Sequence, residues 1–439
     1  VNRPVCPPQR IERSGTPPLA KKIFSPEAKW ANASRVRDPS HCLDLGPKDL
    51  GTQKWAPTIH RFIADVKEVI VTLTADNIWG FAEIMMSDGT ISPCCKPVLM
   101  SETRMYGVAT MLRSVQGVKQ LCFHIRENEK YRAYYTSRKQ ERKKKLDEII
   151  DLVNNPEFMA RAEKLECLFF QFEFAVKLCC CPSTPYSALL PIVQCVRNGV
   201  NGIIEQGWLD KLFNPNITSD EIIPCLSPRF NMDGSPPEGL RVGFLDPHAV
   251  WAYLLDPFLG EPGAPILHVL PNLTSQLEDM AAYFIPGDDE SSLSERTSIV
   301  TDYREFMLGT GRWAKVVRAQ PMVDENIIKQ TETKITFKAV QSWLERTGGY
   351  SARTLFWATP PAMWSPLGRF VAKKLMSFTP NASMQVESAI KHLKSQVMTK
   401  YRVREQRAFI KDMFSTTPYP PDLSLSRALR APYPSVHYY

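Results

Sequence analysis

The chain has 439 residues, of which 44% are hydrophobic and 23% charged, with a formal net charge of +8; it can bury a sizeable core, and its length suggests two or three domains. Its longest apolar runs, Leu189–Val193 and Val250–Leu255, fall far short of the ~20 residues that a spanning helix needs, and Val1–Gln9 carries Pro4, Pro7 and Pro8 where a secretory signal would have an apolar region. The 11 cysteines are odd in number and include the clusters Cys94-Cys95 and Cys179-Cys180-Cys181, which argues for a reducing compartment over a disulfide framework, while the basic excess is mild for a nucleic-acid binder of this size.

In chain order, residues 1–40 are rich in Pro, Arg and Ser without a sustained period and read as a disordered or remnant segment. Order begins near His41. From Thr58, the residues Ile59, Phe62, Ile63, Val66, Val69, Ile70 and Leu73 recur at helical spacing, which predicts an amphipathic helix. The same periodicity appears at Val108, Met111, Leu112 and Val115, and again at Leu165, Leu168, Phe169, Phe172 and Val176. Further stripes run through Ile192, Val196, Val200 and Ile203, and through Leu273, Leu277, Met280 and Phe284.

Between these stripes lies Ser137–Lys145, which reads SRKQERKKK and leads into Leu146, Ile149, Ile150 and Val153. Two readings of it stay open: a solvated first turn of an amphipathic helix, or a DNA-backbone contact or nuclear-localisation signal. Loops are predicted at Ser227–Pro237, Gly260–Pro265 and Gly287–Glu295. Strand signals are confined to Arg241–Leu245, Lys334–Lys338 and Ile91–Met100, the last interrupted by Pro93 and Pro97. The tail Ser415–Tyr439 has many Pro, Tyr and Ser residues and no helical spacing. The fold class is therefore mainly α with few strands.

The chain carries neither a GxxxxGK[ST] nor a GxGxxG motif, and no Cys-x-x-Cys pair is matched by a second pair or a His-x-x-His, so no nucleotide, zinc or other cofactor is expected. What remains is a collinear series of landmarks. His41-Cys42-Leu43-Asp44-Leu45 is followed by Lys48-Asp49-Leu50, and Glu102–Gly107 precedes Met111 and Leu112. Ala252–Pro257 ends a helical run at a proline that disfavours helical geometry in the preceding residue. Finally Trp357, Pro366 and Leu367 lead to Thr379–Ser383, Glu387 and the basic run Lys400–Arg404.

Taken together, and over about His41 to Phe414, these landmarks resemble those of the hAT transposases, RNase H-like enzymes that cut DNA. The resemblance implies a remnant RNase H-like region at 41–100, a helical insertion domain at 101–330 and a C-terminal dimerisation-type region with RNase H-like character at 331–414, flanked by 1–40 and the tail 415–439. In such enzymes three carboxylates hold two divalent metals, and only one has a matching position here, Glu387. Asp38 stands where the family has a Cys, and Ser14, Gly15 and Thr16 lie where its second Asp is expected.

The implied protein is thus a catalytically inactive, nuclear, transposase-derived homodimer that contacts DNA, with no small-molecule substrate and no membrane partner. Mg²⁺ or Mn²⁺ would enter only if a longer chain completed the site. DNA contact is assigned to Arg138, Arg142, Lys143, Lys144 and Lys145. Self-association is assigned to two stripes: Leu367, Phe370, Val371 and Leu375, then Val386, Ile390, Leu393 and Val397. Two alternatives remain open at this point: a fragment of an active metal-dependent transposase, and an unrelated helical scaffold.

Overall fold

A computed structural model describes residues 39–74, 78–94, 96–100, 107–127, 140–181, 183–230, 243–245, 247–261, 263–265, 278–282, 285, 287–316 and 335–374. Of these residues 76% are helical, and no strand occurs among them. All lie in one compact unit, Asp38–Tyr439.

The order is α1 (Pro39–Leu50), α2 (Pro57–Thr74), α3 (Ile78–Ser87), α4 (Val108–Gln116), α5 (Lys119–Glu127), α6 (Gln140–Asn154), α7 (Pro156–Cys179), α8 (Leu189–Glu205) and α9 (Trp208–Leu212). After a π-helical turn at Thr218–Ile222 come α10 (Ile223–Leu226), α11 (Pro247–Leu254), α12 (Glu290–Leu308), α13 (Phe337–Thr347), α14 (Gly349–Ala358) and α15 (Pro366–Lys374).

The organising element is α7. Asn155 starts it, its side chain accepting from the Glu157 amide at 2.8 Å with Pro156 in the first turn, the arrangement that satisfies otherwise unpaired amides at a helix start. Its buried residues are not confined to a narrow stripe: Phe158, Leu165, Leu168, Phe169, Phe172, Val176 and Leu178 are all buried. Accordingly α1, α4, α6, α8 and α9 all pack against it, as expected of a central helix. The approach of α1 depends on Gly46, where a Cβ would lie 2.6 Å from the Phe172 ring and 3.0 Å from that of Phe244.

Around α12, α14 and α15 a second part of the same core forms. Phe306, Trp313 and Trp357 are fully buried and pack with ring centroids 5.2–5.9 Å apart. Asp302 binds three partners there: its carboxylate accepts from the Trp313 indole N–H and from the Leu367 amide, both at 3.0 Å, and lies 3.3 Å from Arg312 Nε. A buried carboxylate is thereby placed at the N-terminus of α15, where the helix dipole favours it.

Four expectations need correction. Ile91–Met100, apart from the undescribed residue 95, forms no strand, and residues 243–245 are likewise irregular. Lys334–Lys338 was expected as a strand, yet Phe337 and Lys338 open α13, because Thr336 Oγ1 accepts from the Ala339 amide at 3.2 Å and starts a helix. Similarly, the expected loop Gly287–Glu295 contains the start of α12, capped by Asp289.

Candidate functional site

Besides the one at Asp302, a buried polar cluster among the described residues joins three segments that lie far apart in sequence. Asp256 follows α11 beyond the turn at Leu255, Ser187 sits in the 3-10 turn before α8, and Arg353 is on α14. Arg353 Nε donates to Asp256 Oδ2 at 2.5 Å, and Ser187 Oγ donates to the same oxygen at 2.5 Å. The second oxygen, Oδ1, accepts from the Phe258 amide at 2.9 Å.

The rest of the guanidinium is nearly enclosed. Arg353 Nη1 donates to Thr347 Oγ1 at 3.1 Å and to the Gly349 carbonyl at 2.8 Å. The Phe258 and Trp343 ring centroids lie 5.0 and 4.6 Å from its central carbon, cation–π distances. Trp343 is itself fixed, its indole N–H donating to the Phe258 carbonyl at 3.1 Å. The close approach of α14 rests on Gly349, whose φ is +59° and where a Cβ would lie 2.6 Å from the Ser183 carbonyl oxygen. A cavity of about 50 Å³ adjoins the cluster, lined among others by Ser187, Ala252, Leu255, Asp256, Arg353 and Trp357.

Other buried carboxylates also meet cations or helix amides. Asp49 of α1 accepts from Arg229 Nε at 2.8 Å and Nη2 at 2.5 Å. Arg113 of α4 is paired with Glu166 of α7, and Lys177 with Glu173 at 2.5 Å. Glu221, on the π turn, accepts from the Thr58 and Ile59 amides at 3.1–3.4 Å and so caps α2 from 163 residues away. Each of these carboxylates fixes a helix end or a neighbouring cation, a structural use of charge. Among the described residues no group of three or more His, Cys, Asp and Glu side chains is placed to hold a metal ion.

No family model matches the chain, and neither does any curated protein or solved structure. Its site residues are therefore assigned on their own geometry.

Of the residues singled out from sequence, Glu387 lies outside the described residues, as do Arg138, Leu375, Val386, Ile390, Leu393 and Val397. Arg142 and Lys143 fall on α6, with side chains outside the described part. Lys144 and Lys145 are exposed on α6, 3.8 Å from Glu148 and 2.8 Å from Glu68 respectively. Leu367, Phe370 and Val371 are brought together on α15, but buried within the chain, where α15 packs against α12 and α14. The neighbouring surface is apolar instead: Leu355 on α14 and Trp364 in the turn before α15 are each 67% exposed, and Met363 is 41% exposed.

Sequence reading reached Asp256 through the Ala252–Pro257 run but missed its partners Ser187 and Arg353. No local signal marks them, since 69 and 97 residues separate them from Asp256. Among the described residues no helix is long and apolar enough to cross a membrane.

Proposed function

We propose that the chain is a self-associating, non-catalytic helical protein of hAT transposase descent, which acts in the nucleus by binding partners and DNA. The observation that carries self-association is the exposed side chains of Leu355, Met363 and Trp364, within the 331–414 region to which the motif resemblance assigns dimerisation. Large aromatic side chains left on the surface are enriched among the anchors of protein interfaces. RNase H-like ancestry and the inactive site rest on the collinear motifs and on the lone catalytic match at Glu387.

On this reading α15 contributes by holding the surface in place, with Leu367, Phe370 and Val371 packed inward, while Trp364 and Leu355 meet the second copy. Sedimentation of the full chain at roughly 50 µM, a concentration at which a micromolar dimer is well populated, should give a dimer. Leu355→Asp with Trp364→Asp should convert it to a monomer with an unchanged circular dichroism spectrum. A folded wild type that sediments as a monomer would refute self-association. A dimer untouched by these substitutions but dissolved by Leu393→Asp with Val397→Asp would move the interface along the chain.

A further inference from the structure

Arg353 is 5% exposed, and one edge of its guanidinium stands apart from the rest. Nε and Nη1 have the partners given above, whereas Nη2 is buried and has no hydrogen-bond partner among the described residues. Leaving a buried charged donor unpaired is costly. The groups that cover the remainder of Arg353, namely Phe258, Trp343, Thr347 and Gly349, do not line the 50 Å³ cavity, while Arg353 and Asp256 both do. Within the guanidinium only Nη2 has a hydrogen bond still to make, and Arg353 itself lines the cavity.

The geometry points to a binding site for a small uncharged primary amide, whose carbonyl oxygen accepts from Arg353 Nη2. Four features define that guest. Nη2 only donates, so its partner must be an acceptor. The charge of Arg353 is already met by Asp256 at 2.5 Å, so an anionic guest would bring a second carboxylate against Asp256 in buried surroundings, which is unfavourable. Ser187 Oγ gives its proton to Asp256 and keeps lone pairs for an amide N–H. Leu255, Pro257, Trp357 and Val371 provide apolar walls, and the volume admits about four non-hydrogen atoms at ~10–15 Å³ for each water-sized position.

Acetamide matches these requirements and serves as the probe; its carboxylate counterpart, acetate, tests the charge argument. For so small a guest the ceiling on affinity corresponds to a dissociation constant of roughly 40 µM, so binding is sought at millimolar concentrations by saturation transfer from the full chain to the acetamide methyl group. Saturable transfer is expected, with acetate at least tenfold weaker. Ala252→Leu takes up space in the cavity while leaving the Arg353 side chain itself unaltered, and should abolish the signal in a folded protein. Arg353→Lys, where it folds, should weaken binding at least tenfold. Absence of saturable transfer, survival of the signal in folded Ala252→Leu, or acetate binding as tightly as acetamide would each overturn the assignment. None of these results depends on whether the chain self-associates.

Discussion

Asp256 and Arg353 show how strongly single residues in this interior depend on one another. Both are at least nine-tenths buried, and each satisfies polar groups of segments distant in the chain. Removing one partner strands the other as an uncompensated buried charge, a change that typically costs about 3–5 kcal/mol, whereas replacing both by apolar residues of similar volume can be neutral. Urea unfolding of Arg353→Met should therefore show a loss of that order, and Asp256→Leu combined with Arg353→Met should recover a large part of it; additive losses would show that the pair is not coupled. The cysteines give a second prediction. Burial pushes the thiols of Cys122 and Cys195 up to about 12, so neither is present as the nucleophilic thiolate at neutral pH. A disulfide reagent at pH 8 should leave both unmodified until the chain is unfolded. Because the raised value means that the native state holds its protons longer than the unfolded one, their contribution is complete below the ordinary thiol value of 9.0 and is lost as pH rises from there towards about 12. Rapid native-state labelling of either residue would contradict this.

At the level of elements, the legible helices are those whose apolar residues keep a clean period. The stripes from Ile59, Val108, Leu165 and Ile192 correspond to α2, α4, α7 and α8, because each of these helices buries apolar residues at helical spacing against neighbours. The basic run Ser137–Lys145 likewise leads into α6, whose Leu146, Ile149, Ile150 and Val153 are buried. Helix starts inside polar or β-branched text were harder to see. Ile335 and Thr336 look strand-like, yet the Thr336 hydroxyl caps α13; Gly287–Glu295 looks like a loop, yet Asp289 caps α12 by accepting from the Ser292 amide at 3.0 Å. Long-range partners such as Glu221 for α2 carry no local signature at all. The Asp289 cap is testable by pH. The bond from the Ser292 hydroxyl, then that from its amide, holds the Asp289 carboxyl below its ordinary value of 3.8, so its contribution is fully present above 3.8 and is lost as pH falls through the depressed value. Protection against hydrogen exchange in the first turn of α12, taken relative to the intrinsic rate at each pH, should fall on acidification in the wild type. In Asp289→Asn, which keeps the capping oxygen but does not titrate, that acid step should disappear; an unchanged acid response would assign it to another group.

Over the whole molecule the excess of basic residues, +8 in 439 residues, supports only a weak field unless charge is locally concentrated. The densest basic segment enters α6, and its described members Lys144 and Lys145 are exposed but already face Glu148 and Glu68. Such surface pairs contribute little, in the range of about 0–1 kcal/mol, so phosphates can compete for the lysines. DNA binding through this helix should consequently be weak, tolerant of sequence and steeply salt-dependent, because each phosphate neutralised releases condensed counterions. Lys145 lies 2.8 Å from Glu68 on α2, so reversing its charge would also disturb the packing of α6 on α2; Lys144→Gln with Lys145→Gln removes the charges with less risk to the fold. If both lysines contact phosphates, the slope of log affinity against log salt should become shallower by about 0.9 for each contact, roughly 1.8 in all. Fluorescence anisotropy with a labelled duplex across a salt series measures that slope directly, with circular dichroism confirming that the double variant remains folded. An unchanged slope in a folded variant would remove Lys144 and Lys145 from the DNA-contacting surface and leave any residual binding to basic residues elsewhere in the chain.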